Sequence, residues 1–393
     1  MNKLLYKAFV APFTSIERSI LYLCAFLGRF GSFGIIVYLA FDYTSENLSI
    51  VLSFFIGNFI LISFVLLPLL FTLLKRFISP GFILFCIALQ IVSIVNIYFH
   101  PEFLQATTWL EGLRAGILIG VVNCPFWALF HNLMLFFTTR ENRGHEVSIA
   151  ELGLKFGAIV ASMTSGIMLT YLPGTMFPIA CMATITISTI ILAMVTMDFV
   201  EMVPDKTTRV FSPYAQVFQR KKLGIATLFQ AALMALIEFF VPIWMKFFGF
   251  SAILTGSVLI AQILIRTLIS PLTGALFERK NGSELRLGSV FFIIGWLPWL
   301  FISHGGILIF SFINWAISNH TINVGMDSRW YDEKTLEGMA TRELLLGLGR
   351  LFCLVTIMPL LLISPHAFII SCIVLALVFM GVSYLVNKIK IES

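Results

Sequence analysis

Short polar stretches cut this chain into twelve apolar runs, and that division leaves it almost no choice of backbone structure. A run that sits in hydrocarbon must satisfy every N–H and C=O within itself, and an α-helix does so. The runs are residues 20–41, 48–74, 82–98, 106–136, 149–172 and 177–197, then 223–245, 252–277, 287–302, 307–324, 336–363 and 367–386. A polar stretch at 198–222 separates the sixth from the seventh. A spanning helix needs about 20 residues, so the longer fourth and eleventh runs are expected to tilt or to extend into water. Only 12% of the 393 residues are charged, against about 25% in soluble domains, which excludes water as the main solvent. The expected fold class is an all-α membrane protein with twelve transmembrane helices. Residues 1–18 mix Lys3, Lys7, Glu17 and Arg18 with apolar residues and lack a small-residue cleavage site, so the first run reads as a retained span.

Charge tests the count of spans, because cytoplasmic loops hold an excess of Lys and Arg. Basic residues fall in alternate loops: Lys75 and Arg76, Arg140 and Arg143, Lys206 to Lys222, Arg279 to Arg286, Arg329 and Lys334, with Lys3 and Lys390 near the two ends. The intervening loops carry none, and Lys246 only borders one. The basic side is read as the cytoplasm, with both termini on it and the chain multi-pass in the inner (cytoplasmic) membrane. The expected division is a six-helix bundle at 1–200, a cytoplasmic linker at 201–222 and a second bundle at 223–393. The basic excess is explained by this topology, so no nucleic acid is expected as a partner. The six cysteines all lie within apolar runs without metal-type spacing, which reads as buried small hydrophobes; neither a metal nor a cofactor is expected.

The two halves echo each other. Pro68 precedes Lys75-Arg76 by the offsets at which Pro271 precedes Glu278-Arg279, and Trp127-Ala-Leu-Phe-His131 precedes Glu151 much as Trp315-Ala-Ile-Ser-Asn319 precedes Glu343. Such parallel repeats mark one large class of transporters. The segment Gly274-Ala-Leu-Phe-Glu278-Arg279-Lys280-Asn281-Gly282 resembles the signature of the major facilitator superfamily, Gly-x-x-x-Asp-Arg-x-Gly-Arg, with Glu for Asp and one extra residue before the second glycine. The first-half copy lacks the leading glycine and carries Lys75 where the acid belongs. The resemblance implies two pseudo-symmetric six-helix bundles around a central cavity lined by helices 1, 2, 4, 5, 7, 8, 10 and 11, with helices 3, 6, 9 and 12 facing lipid. It also implies that Gly274, Glu278, Arg279 and Gly282 form a cytoplasmic gating motif, with the acid meeting the start of helix 11. The interiors of the four implied outer runs contain no Asp, Glu, Lys or Arg, as the cost of charge in hydrocarbon requires.

The charges embedded in the other runs are the candidate functional residues. Arg29, Arg266 and Arg350 each need a partner, a wet cavity or an anionic ligand, and they are expected either to bind a substrate anion or to form structural pairs. Lys155 lies one turn beyond Glu151 and either pairs with it or faces the cavity. Asn123, Trp127 and Trp315 complete the expected substrate-binding set; Asn58, Gln230, Gln262, Asn314 and Asn319 are further polar positions on cavity helices. Glu238 is the most isolated intramembrane acid and the first choice for proton coupling, with His131 and His320 as titratable alternatives. Glu111 and Arg114 are expected to pair locally. Residues 327–337, the one acidic cluster, read as a solvated loop.

No P-loop is present and no loop is large enough for a nucleotide domain, which argues against a primary pump; no Asp or His cluster suggests a membrane enzyme. The expected function is secondary active transport of a small organic solute, anionic and coupled to protons, by a monomer whose partners are that substrate and the lipid bilayer. The alternatives are a multidrug or lipophile exporter and a non-transporting sensor or assembly protein on the same scaffold.

Overall fold

A computed structural model of the protein describes residues 15–43, 48–59, 70, 80–104, 106–138, 143–171, 174–199, 214, 216–217, 220–238, 251–278, 283–301, 306–332 and 335–387. The described chain is helical throughout. In the first half lie α1 (Ile16–Tyr43), α2 (Leu48–Phe59), α3 (Pro80–Phe99), α4 (Trp109–Phe137), α5 (Arg143–Tyr171) and α6 (Met176–Phe199). In the second lie α7 (Lys221–Glu238), α8 (Ala252–Glu278), α9 (Ser283–Trp296), α10 (Gly306–Asp332), α11 (Leu336–Phe352) and α12 (Pro365–Asn387). A 3₁₀ turn, Leu297–Leu300, extends α9, and a π-helical turn, Cys353–Ile357, carries α11 into a last turn, Met358–Ile363. Most of the linker at 201–222 lies outside the described residues.

Seven of the described helices are long and apolar enough to cross a membrane by length and composition. α10 falls short because Asn314, Asn319, His320, Asn323, Asp327 and Arg329 lie along it. All but Asn323 and Arg329 of these are buried, so its polarity faces protein rather than lipid. The chain is a multi-pass membrane protein.

The implied outer helices do face outward. In α3 the buried positions Ile83, Cys86, Gln90, Ser93 and Ile97 recur every three or four residues, while Leu84, Phe85, Val92 and Val95 are exposed. Gln90 is the polar exception on the buried stripe, and its Nε2 donates to Val122 O (2.6 Å) and Thr189 Oγ1 (3.0 Å), tying α3 to α4 and α6. Exposed apolar stripes recur on α6 (Ile187, Ile190, Met194, Met197) and α12 (Ile370, Val374, Leu377). α9 starts earlier than the apolar run suggests and so includes Glu284 and Arg286. Glu284 is fully buried against Arg329 of α10, 2.6 Å away, so the added acid meets a partner instead of lipid. The six cysteines are all buried, as expected.

Packing repeats between the halves. α1 lies on α5 as α7 lies on α11, and α2 on α4 as α8 on α10; α5 against α8 is an extensive contact between the halves. At two of these crossings the backbones nearly touch, with small residues permitting the approach. A Cβ on Gly157 would stand 2.2 Å from Phe26 O, and one on Gly349 would stand 2.2 Å from Leu228 O. Each glycine follows a glutamate, Glu151 or Glu343, by the same interval of six residues. The sequence echo at those glutamates is thus a structural equivalence.

Gly157→Leu and Gly349→Leu are expected to force these helix pairs apart and to destabilise the protein by at least the ~1–3 kcal/mol of core overpacking. Gly381→Ala, where a Cβ meets nothing within 4 Å, is expected to leave the melting temperature unchanged or raised. Thermal unfolding of the detergent-solubilised variants checks both.

Candidate functional site

Between the two halves lies a cavity of about 130 Å³ lined from α1, α2, α4, α5, α7, α10 and α11. Among the described residues none from the four outer helices lines it. From the first half come Arg29, Asn58, Asn123, Trp127, His131, Glu151 and Lys155; from the second come Gln230, Asn323, Asp327, Tyr331, Arg342, Glu343 and Arg350. Its lining therefore holds four fixed cations and three carboxylates.

α10 and α11 supply the densest charge. Asn319, Asn323, Asp327 and Tyr331 follow one another at intervals of four residues, so one face of α10 is polar along its C-terminal half. Thr335 opens α11 by accepting a hydrogen bond from Gly338 N (3.1 Å), so α11 starts within a few residues of the end of α10 at Asp332. Arg342 then donates from one guanidinium nitrogen to Asp327 and from another to its neighbour Glu343. All three side chains are more than nine-tenths buried. A buried ion pair does little for net stability, because desolvation offsets the attraction, but breaking one strands a charge.

His131 joins this cluster from the other half. Its Nδ1 shares a hydrogen bond with the Tyr331 hydroxyl at 2.6 Å, and its Nε2 lies 3.4 Å from Glu343 Oε1. Trp127, one turn earlier on α4, stacks on the imidazole with ring centroids 5.7 Å apart. On α5, Lys155 Nζ lies 3.2 Å from Glu151 Oε2. Gln230 Nε2 donates to Asn323 Oδ1 (3.0 Å), whose amide donates in turn to Asn319 Oδ1 (2.7 Å). Asn58 Nδ2, Asn123 Oδ1 and Gln230 Oε1 are buried at the lining without hydrogen-bond partners among the described residues. Buried polar atoms are ordinarily paired, so these three are spare hydrogen-bonding capacity at the cavity wall. No group of metal-ligating residues occurs among the described residues.

A family model for the Major Facilitator Superfamily matches residues 19–350. The chain belongs to that superfamily. Among solved structures, this facilitator is similar to the human organic anion transporter MFSD10 (TETRAN), at 13% identity and a TM-score of 0.72 over 94% of this chain and 100% of that one. It is also similar to a bacterial homologue of the iron transporter ferroportin in an outward-facing state, at 12% identity and a TM-score of 0.69 over 95% and 98%. At these identities the likeness is one of fold. No sequence among the curated proteins matches the chain. Two pseudo-symmetric six-helix bundles with twelve helices are the facilitator's architecture, and it is a secondary transporter.

Of the expected substrate-binding residues, Arg29, Asn123, Trp127, Lys155 and Arg350 line the facilitator's cavity, as does His131. Lys155 meets both expectations, pairing with Glu151 while facing the cavity. Trp315 does not line it: fully buried, it packs on Trp296 at 4.4 Å between α9 and α10. Arg266 and His320 are buried on α8 and α10 away from the lining, with both His320 ring nitrogens lacking hydrogen-bond partners among the described residues. The match of Trp127 with Trp315 therefore misleads: the cavity counterpart of Trp127 and His131, judged by distance from the helix ends, is Asn323 and Asp327.

Glu238 ends α7 and Gly274 and Glu278 lie in the last turns of α8, but the side chains of Glu238 and Glu278 lie outside the described residues, as do Arg279 and Gly282 altogether. Glu111 does not pair with Arg114; its Oε2 accepts from Thr107 N (2.8 Å) and Thr108 N (3.0 Å) in a capping box that opens α4.

Residues 327–332 are helix and not a solvated loop. α10 runs two turns beyond its apolar run, so Asp327, Trp330 and Tyr331 are buried rather than solvated. The four-residue spacing from Asn319 to Tyr331 is the signal that marks this face.

Arg342→Ala is expected to destabilise the facilitator by about 3–5 kcal/mol, since it leaves the buried carboxylates of Asp327 and Glu343 without that partner, and Asp327→Ala to cost less, since Arg342 keeps Glu343. The double variant Asp327→Leu/Arg342→Met is expected to recover only part of the Arg342→Ala loss, because Glu343 still lacks Arg342. A double-mutant cycle of thermal unfolding checks the coupling.

Proposed function

We propose that this facilitator moves a small organic anion across the inner membrane by alternating access, coupled to protons, with both termini in the cytoplasm. The observation that carries the reading is the cavity lining, where Arg29, Lys155, Arg342 and Arg350 outnumber Glu151, Asp327 and Glu343. Charges of both signs held inside a spanning protein mark substrate or ion pathways, and an excess of cations favours an anionic guest. The resemblance in fold to a protein named as an organic anion transporter agrees with this choice.

In the proposed cycle the bundles at 1–200 and 223–393 rock about the cavity. The bond from His131 to Tyr331 and Glu343 crosses between the halves near the cytoplasmic helix ends, where it holds that side closed. It must break when the cavity opens inward. Gly274, Glu278, Arg279 and Gly282 form the second element of the same gate. Protons enter through His131, which sits on the contact that opens, or through Glu238. A non-transporting sensor has no need of so many buried charges around one cavity.

Uptake of radiolabelled succinate and citrate into proteoliposomes under an imposed pH gradient tests this reading. The wild type is expected to accumulate one of them, and Glu238→Gln or His131→Gln to abolish accumulation while sparing exchange. Equal accumulation by wild type and both variants would sink the coupling proposal. Arg350→Gln is expected to raise KM for the anion about 10-fold or more, the loss of one charge-assisted hydrogen bond at ~1.5–3 kcal/mol. Movement of lipophilic cations but of no anion selects the exporter alternative instead.

A further inference from the structure

The charges of the cavity are sorted by depth. Glu343 and Arg350 lie on one helix seven residues apart, two full turns or about 10.5 Å along the axis, and both line the cavity. Counted from the cytoplasmic helix ends, Asp327, Glu343 and Glu151 lie within the first two to three turns of α10, α11 and α5. Arg29 of α1 and Arg350 of α11 lie about two turns further in. The cavity thus has a floor of three carboxylates that also holds Arg342, with Lys155 reaching it from one turn above, and a basic upper level at Arg29 and Arg350, with Trp127 and Asn323 between them.

The floor is not used up by its own ion pairs. Asp327 and Glu343 each give one oxygen to Arg342, and Glu151 gives one to Lys155. Their second oxygens, Asp327 Oδ2, Glu343 Oε2 and Glu151 Oε1, have no hydrogen bond or ion pair among the described residues. A carboxylate accepts about four hydrogen bonds, so three side chains, each about nine-tenths buried or more, keep acceptor capacity directed at one compartment. A simple anion leaves this acceptor capacity unused. A solute bearing a cation at its other end would engage it, with the Trp127 ring face adding a favourable site for that cation.

We infer that the solute is a zwitterion, its anionic group held at Arg29 and Arg350 and its ammonium group directed to the floor carboxylates roughly 10 Å away. This rests on the organic-anion reading above and narrows it to amphoteric molecules the length of a short peptide or an ω-amino acid. A guest without the ammonium group leaves the second oxygens of the floor carboxylates without that contact, so the floor discriminates against it.

The test uses the purified full-length protein and five probes: 4-aminobutanoate, 6-aminohexanoate, 8-aminooctanoate, N-acetyl-8-aminooctanoate as the pure anion and 8-aminooctanamide as the pure cation. Binding is read by calorimetry. 8-Aminooctanoate is expected to bind at least about tenfold tighter than the acetylated or amidated form, each lacking one charge-assisted contact, and tighter than 4-aminobutanoate. Glu343→Gln is expected to erase the advantage over the acetylated form, and Arg350→Gln to weaken both. The comparison among probes is made on the wild type, so it holds even where either variant misfolds. If the acetylated form binds as tightly as its parent, the zwitterion inference is wrong and the organic-anion reading stands. Equal binding of the amide overturns both. If none of the five binds, the zwitterion inference falls, and the carboxylate uptake assay alone decides the broader reading.

Discussion

The cluster formed by Asp327, Arg342 and Glu343, joined across the molecule by His131 and Tyr331, is possible only because other helices enclose it. An ion in hydrocarbon is expensive, and an ion pair removed from water recovers that cost only with good geometry and further hydrogen bonds. Once these charges exist, α10 and α11 must turn them inward, α4 must bring a polar partner to meet them, and other helices must shield the assembly from lipid. The arrangement of the rest of the protein follows from that requirement.

The shielding is carried by helices with the opposite character. α3 buries a stripe one residue wide and exposes most of its surface as Leu, Phe, Ile and Val, and its single polar anchor, Gln90, is fully hydrogen-bonded at its amide nitrogen to α4 and α6. α9 tolerates Glu284 only because Arg329 of α10 neutralises it. Inner helices achieve close contact differently, through glycine: α5 approaches α1 at Gly157 as α11 approaches α7 at Gly349. Both crossings lie about two turns above a cavity carboxylate, Glu151 or Glu343. The same device at the same offset in each half fixes where the charged faces of α5 and α11 stand relative to the cavity between them.

One contact spans the two halves at a polar cluster. The His131–Tyr331 bond and the approach to Glu343 lie between elements that otherwise pack mainly within their own half. Any motion that separates the halves at this end must break them, so their strength sets how readily the cavity opens on that side. Charge within the cavity and closure of the cavity are in this way properties of the same side chains.

The twelve helices, the helices that face lipid and the membrane-spanning nature of the chain are all legible in the sequence, because hydropathy over about 20 residues and the spacing of apolar positions are local quantities. So is the presence of Arg29, Lys155 and Arg350 within spans. What the sequence could not decide is which polar residues meet. Asp327 among charged neighbours looks the same whether water or Arg342 surrounds it, and Trp127 and Trp315 share a motif although one lines the cavity and the other packs on Trp296. Those outcomes depend on the rotation of each helix and on partners far away in the chain, as when α4 presents His131 to Tyr331. Only the packed structure, in which burial makes each charge find its partner, determines them.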